Sequence, residues 1–298
     1  MFLNKMLRPF ILLVLVSAYF NSSAAKVDSL DVQSAAMNKT YKAAVVLPAS
    51  YATSKASYPV LYLLHGGGGH FRDWLTRTPD KMLLQNLADQ YNLIIVTPEG
   101  ETFGWYLDSP HDPTNKFETH IIKEVIPKID NTYRTVKSNK GRVITGLSMG
   151  GHGAMYLSTR HPDLFCAAGT MSGAMDMNYT KFRITEDFTK SLKDRFQKLL
   201  GTSDPSSDVF VNNSVVNMVD AIKKNGLPVM IDCGVDDFLI EINRELHRRL
   251  VYNGTPHDYV ERPGGHTWEY WQNALPYHLV FFNNILKSNG VAVLKQVN

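Results

Sequence analysis

Short apolar runs alternate with longer amphipathic stretches through most of this chain. Pro59–Leu64 (PVLYLL), Leu93–Val96 (LIIV), Arg142–Thr145, Ala167–Met171 and Pro228–Cys233 (PVMIDC) are brief, largely apolar and edged by turn residues. Runs of this kind predict strands buried on both faces. Tyr41–Leu47 and Asp258–Arg262 extend the series. Between the runs, apolar residues recur at helical spacing. Met82, Leu83, Leu87 and Ala88 share a face in 80–90; Ile121, Ile122, Val125 and Ile129 do so in 118–129; Leu239, Ile242, Leu246 and Leu250 do so in 238–251. Residues 152–160 and 268–286 complete the set of predicted helices. Strands that alternate with helices predict an α/β domain with a mostly parallel sheet covered on both faces. Right-handed crossovers then gather the segments that follow the strands at one sheet edge.

One stretch breaks the rhythm. Between Gly173 and Gly226 the chain is charged, with Lys190, Lys193, Asp194, Arg195 and Lys198 set among Phe188, Leu192, Phe196 and Leu199. This predicts a mostly helical insertion at about 174–226, lying over the strand ends as a lid or substrate wall. It is too short for a second domain, so residues 26–298 are expected to form one.

The first 25 residues have a different character. Lys5 and Arg8 precede an apolar stretch from Phe10 to Phe20, and Ser23-Ala24-Ala25 supplies small residues before Lys26. That is the pattern of a secretory signal peptide, with an apolar run too short to span a bilayer. The expected location is therefore secreted or periplasmic. The whole chain carries a formal charge of +3. Removing residues 1–25 takes away Lys5 and Arg8 and no acidic residue, which leaves a nearly neutral protein. Neither a nucleic-acid partner nor stable membrane insertion is expected. The two cysteines, Cys166 and Cys233, fall at opposite edges of the predicted sheet, too far apart to bridge. Both are read as buried thiols. No cluster has metal-ligand spacing, so neither metal nor cofactor is expected.

Candidate chemistry lies where the predicted strands end. Gly146-Leu147-Ser148-Met149-Gly150 follows one strand, Asp237 follows another, and His266 sits in Gly264-Gly265-His266. The order Ser, Asp, His is the one expected for a serine nucleophile on an α/β sheet. A sharp strand-to-helix turn lifts the hydroxyl clear of the sheet, and glycines on either side remove side chains that would collide. A histidine must take the serine proton, and a carboxylate must orient the histidine and stabilise its cation. Asp232, Asp236 and Asp237 are candidates for that carboxylate, with Asp237 favoured and Asp236 the alternative. The negative oxygen of a tetrahedral intermediate needs two backbone N–H groups, expected from Met149 and from Gly67 in the His65–His70 glycine loop. No Lys-Ser/Thr pair follows that loop, which excludes a P-loop. His65 is read as a brace for the loop, and His152 as a packing residue.

The runs VLYLLHGGGGHFRDW, GWYLDSP, RVITGLSMGGHGAMYLSTRHPDLF, VMIDCGVDDFL and GGHTWEYW together resemble the esterase D-like α/β hydrolases. That family includes feruloyl and acetylxylan esterases, S-formylglutathione hydrolases and the antigen 85 acyltransferases. The resemblance covers nearly all of residues 40–290. It implies the α/β-hydrolase fold, Ser148 as nucleophile, His266 as base and Asp237 as acid, with Gly67 and Met149 as the oxyanion pair. The signal peptide points away from the formylglutathione enzymes and toward a secreted serine esterase that removes feruloyl or acetyl groups from plant polysaccharide. An acyltransferase with the same triad, a general esterase like the formylglutathione hydrolases, and a non-catalytic carbohydrate binder are the alternatives. Trp105, Tyr106 and Trp268 are expected to form an aromatic wall for an acyl group or a sugar face.

Overall fold

Eight strands build one sheet: β1 (Lys26–Ser34), β2 (Lys39–Leu47), β3 (Val60–Leu64), β4 (Ile94–Pro98), β5 (Arg142–Gly146), β6 (Ala167–Met171), β7 (Val229–Gly234) and β8 (Asp258–Arg262). This computed structural model describes residues 25–291. Residues 1–24, which hold most of the expected export signal, lie outside the described residues. The strand order is β1-β2-β4-β3-β5-β6-β7-β8. β2 is antiparallel to β1 and to β4, and every later pairing is parallel. The expected α/β architecture, mostly parallel, is therefore present.

Alternation along the strands divides the core into two layers. Val60, Tyr62 and Leu64 of β3 point into one, and Leu61 and Leu63 into the other. The second layer is covered by α1 (Leu83–Tyr91), with a long C-terminal helix, Trp268–Ser288, beside it. The first layer is larger. It is covered by the helical run 117–132, by a helix at Met149–Arg160 and by one at Ile240–Tyr252. In chain order we label Ile126–Thr132 α2 and Met149–Arg160 α3. The run before α2 is not a plain α-helix: residues His120–Val125 form a π-helical turn.

Residues 174–226 contain several helices, the longest being α4 (Glu186–Leu200). Thr185 caps it, its side chain accepting from Phe188 N–H, and Gly201 ends it at φ 77°. Leu192, Phe196 and Leu199 are buried, while the lysines and acids face water. We label Ile240–Tyr252 α5 and Trp268–Ser288 α6.

The expected thiol positions need one correction. Cys233 is buried within β7, but Cys166 precedes β6 and is only half-buried, against the carbonyl oxygens of Lys140 and Arg142. Both are free. Among the described residues, no helix is long and apolar enough to cross a membrane, and no group of three or more His, Cys, Asp or Glu residues is placed to hold a metal ion.

Candidate active site

Ser148 stands between the end of β5 and the start of α3 at φ 54°, ψ −119°. A side chain in that backbone region is strained and needs close packing around it to persist. Two glycines make the packing possible. A Cβ on Gly146 would lie 2.5 Å from the Gly150 carbonyl oxygen, and one on Gly150 would lie 2.5 Å from the His65 carbonyl oxygen. The backbone is anchored as well: Ser148 N–H donates to Met171 O at 3.0 Å, and Ser148 O accepts from His152 N–H and Ala174 N–H.

His266 arrives on the loop between β8 and α6. Its Nε2 lies 2.9 Å from Ser148 Oγ. On the other side, Nδ1 lies 3.0 and 2.9 Å from the two oxygens of Asp237. Nδ1–H therefore donates to the carboxylate, and Nε2 is left to accept the serine proton. Asp237 is buried, and its Oδ1 also accepts from Leu239 N–H at 2.8 Å. The ring of His266 rests between Phe238, 4.3 Å away, and Trp271, which meets it edge-on at 4.8 Å. The other two acid candidates are elsewhere. Asp236 is exposed. Asp232 is buried in β7, where it accepts from Tyr270 O–H at 2.5 Å and pairs with Arg262.

Gly67 and Met149 both border the cavity at Ser148. Neither backbone N–H has a hydrogen-bond partner among the described residues. The Gly67 loop is held from behind by His65. Gly100 N–H donates to His65 Nε2 at 2.9 Å, which leaves Nδ1–H to donate to Gly66 O at 2.9 Å. His65 thus braces the loop. His152 is wholly buried with Nε2 2.7 Å from Asn213 O, and burial lowers its pKa to about 4.

Two cavities open from the serine. One, about 210 Å³, is lined by aromatic and aliphatic groups including Phe103, Trp105, Phe188, Leu192 and Phe238. The other, about 160 Å³, is bounded by Asp73, Arg77, Trp268 and Trp271. The three residues expected to form one aromatic wall are therefore separated. Trp105 is in the first cavity and Trp268 in the second, and Tyr106 is in neither. Tyr106 is fully buried, with its hydroxyl on the backbone of His65, so the expectation of a substrate contact there is corrected. Trp105 and Tyr106 both adopt φ 54°, in a tight turn.

Phe188, Leu192 and Arg195 belong to the segment expected as a lid or substrate wall, whereas Phe103, Phe238 and Trp271 were not expected as lining groups. The i, i+4, i+7 spacing of Phe188, Leu192 and Arg195 puts all three on one face of α4.

A hydroxyl, an imidazole and a carboxylate in this chain of contacts, next to two free N–H donors, can carry out acyl transfer through a covalent intermediate. Known proteins similar to this chain include several named esterases. The Esterase family model matches residues 34–282. The chain is 30% identical over 242 residues to Esterase Rv1288 of Mycobacterium tuberculosis, covering 75% of this chain and 52% of that protein. The chain thus spans about half the length of that relative. It is 28% identical to an acetyl esterase of Caldicellulosiruptor saccharolyticus, over 71% of this chain and 78% of the relative. A solved ferulic acid esterase superposes with a TM-score of 0.73 at 32% identity, covering 88% of this chain and 99% of its own. The architecture is the α/β-hydrolase fold, and the chain belongs to the Esterase family.

Proposed function

We propose that this protein is a secreted serine carboxylic-ester hydrolase that works through an acyl-enzyme and removes feruloyl or acetyl groups from plant polysaccharide. The observation that carries the reading is the contact of Ser148 Oγ with His266 Nε2, beside the free N–H groups of Gly67 and Met149. In the first step Nε2 takes the serine proton as Oγ attacks the ester carbonyl carbon. The negative oxygen accepts from Gly67 and Met149 N–H. Asp237 stabilises the imidazolium, which then protonates the departing alcohol oxygen. Water repeats the sequence on the acyl-enzyme, releases the acid and regenerates Ser148.

The two cavities support a division of labour. The apolar one offers room and aromatic surface for an acyl group larger than acetyl, which favours the feruloyl class. The smaller one, with its half-exposed Trp268, suits the sugar that carries the ester. The names of two relatives, an acetyl esterase and a ferulic acid esterase, support the same range of acyl groups.

A hydrolysis panel tests this reading. Methyl ferulate, acetylated xylan and short p-nitrophenyl esters are compared, with mass spectrometry for a fluorophosphonate adduct on Ser148. Turnover of ferulate or acetyl esters with adduct formation is expected. No turnover of any ester and no adduct would reject the function. Export with removal of residues 1–25 is checked by sequencing the N-terminus of the mature protein, expected at Lys26.

A further inference from the structure

We infer that Asp232, Arg262 and Tyr270 form a buried clamp that holds His266 in line between Asp237 and Ser148, as positioning residues for the proposed reaction. This rests on the esterase reading above and adds a part of the machinery that touches no reacting atom. Arg262 ends β8 and Tyr270 lies in the first turn of α6, so each is four residues from His266, on opposite sides of it. Asp232 lies in β7, the strand that leads to Asp237. The Asp232 carboxylate is wholly buried. One of its oxygens accepts from Tyr270 O–H at 2.5 Å, and the other accepts from Arg262. A single carboxylate thus ties both ends of the loop that carries the base to the strand that leads to the acid.

The loop needs such a tie. Gly264 and Gly265 precede the base, and Gly264 adopts φ 131°, a conformation open to glycine. Glycine gives the chain freedom that a base must not have, because a misplacement of about 1 Å can cost on the order of 100-fold in rate. Two backbone hydrogen bonds hold the loop to the end of β7. Val235 N–H donates to Arg262 O and Asp236 N–H to Gly264 O, each at 3.0 Å. On the β7 side, a Cβ on Gly234 would collide with the Gly264 carbonyl oxygen. On the other side stands the Tyr270 ring, whose edge is 2.7 Å from where a Gly264 Cβ would lie. Gly264 is therefore packed between β7 and Tyr270, and the bond from Tyr270 to Asp232 limits how far the ring can withdraw.

Arg262 is held in turn. Its guanidinium lies 4.3 Å from the ring centre of Tyr277, a further residue of α6. Burial, with the charge of Asp232 beside it, raises the pKa of the Tyr270 phenol, so the hydroxyl stays protonated and donates. Removing either donor leaves a buried carboxylate with one partner, which is costly. None of the three residues borders either cavity at Ser148, so a substitution among them reaches the reaction through His266 and not through the substrate.

The experiment uses Tyr270→Phe, which keeps the ring and deletes the hydroxyl, with Arg262→Gln and Arg262→Lys as a second pair. Circular dichroism selects the variants that fold. Kinetics on p-nitrophenyl acetate and p-nitrophenyl butyrate are read beside the low-field proton NMR signal of His266 Nδ1–H, assigned by its loss in His266→Ala. Tyr270→Phe and Arg262→Gln should each lower kcat by roughly 10- to 100-fold on both esters, with KM within about twofold. Both should also weaken the Nδ1–H signal through faster exchange with water. Arg262→Lys keeps a cationic donor and should recover part of the loss. Folded variants with kcat within about twofold of wild type and an unchanged Nδ1–H signal would overturn the clamp. So would a loss carried by KM, or by one ester alone, since that places the network in substrate binding. If the wild type hydrolyses no ester, the esterase reading fails separately, and the NMR signal alone decides whether the clamp holds His266.

Discussion

The hydroxyl of Tyr106 donates to the carbonyl oxygen of His65 at 3.1 Å, and it accepts from the N–H of the same residue at 3.1 Å. One buried phenol thus satisfies both backbone groups at the point where β3 turns into the glycine loop. Tyr106→Phe leaves those groups without a partner. The expected cost is about 1–3 kcal/mol of stability, read by urea denaturation. Because Gly67 follows two residues later, kcat for p-nitrophenyl acetate should fall more than KM rises. Unchanged stability and kcat would mean that water replaces the phenol.

Ser148→Ala removes the proposed nucleophile, and kcat should fall by a factor on the order of 10⁶. Asp237→Asn should reduce kcat by roughly 10⁴, since the imidazole loses the carboxylate that orients it. Asp236→Asn, one residue earlier and exposed, should leave kcat within about twofold. Equal effects of the two asparagine variants would reject the assignment of Asp237. The check is steady-state kinetics on one chromogenic ester, with circular dichroism to show that each variant is folded.

Gly150→Ala places a methyl group 2.5 Å from the His65 carbonyl oxygen and 2.7 Å from the Leu64 carbonyl carbon. Both are backbone atoms of the neighbouring strand and loop, so relief requires α3 or β3 to move. A loss of about 1–3 kcal/mol is expected, together with a large fall in kcat as Ser148 is displaced. Urea midpoints and kinetics on the same preparation test both.

Acid should weaken the fold through two buried histidines. Burial lowers the pKa of His152 and His278 to about 4 each. Between pH 4 and about 6.5, the ordinary histidine value, the unfolded chain therefore binds more protons than the folded one. The stability these rings provide is complete above about pH 6.5 and is lost as the pH falls toward 4, with a slope of up to about 1.4 kcal/mol per pH unit for each ring. His278→Gln should flatten the dependence measured by urea denaturation from pH 4.5 to 7. An unaltered slope would show that His278 does not titrate across this window.

Trp268→Ala should separate the two cavities functionally. If the sugar rests on Trp268, KM should rise for feruloylated xylan fragments and stay within about twofold for methyl ferulate, which has no sugar. A matching rise for both would place the acyl group on this side instead.

Most of the sheet was legible because its parallel strands are apolar on both faces. β1 was not, and the reason is physical. KVDSLDVQS is an edge strand with little burial, and its charged positions face solvent as it pairs with β2 alone. The helix expected over 118–129 was found in the right place, but its periodicity could not reveal the π turn at His120–Val125. At the candidate site, local motifs located Ser148, Asp237, His266 and the Gly67 loop, since each follows a strand end. The neighbours of that site were harder to see. Phe103 and Phe238 owe their positions to loop geometry, and Tyr106 faces away from the cavity because of two successive left-handed residues. Arg195 fell within the stretch expected as a lid or substrate wall, but the sequence alone did not single it out from Lys190, Lys193 and Lys198 as a cavity residue.

The placement of α4 has an evolutionary consequence. It lies in sequence between β6 and β7, whereas Ser148, Asp237 and His266 follow β5, β7 and β8. On the proposed reading, the part of the cavity wall that α4 supplies is therefore encoded apart from Ser148, Asp237 and His266. If the proposed function holds, substitutions in this one helix reshape its side of the cavity while Ser148, Asp237 and His266 are left alone. A library confined to residues 186–200 would explore that side of the cavity alone.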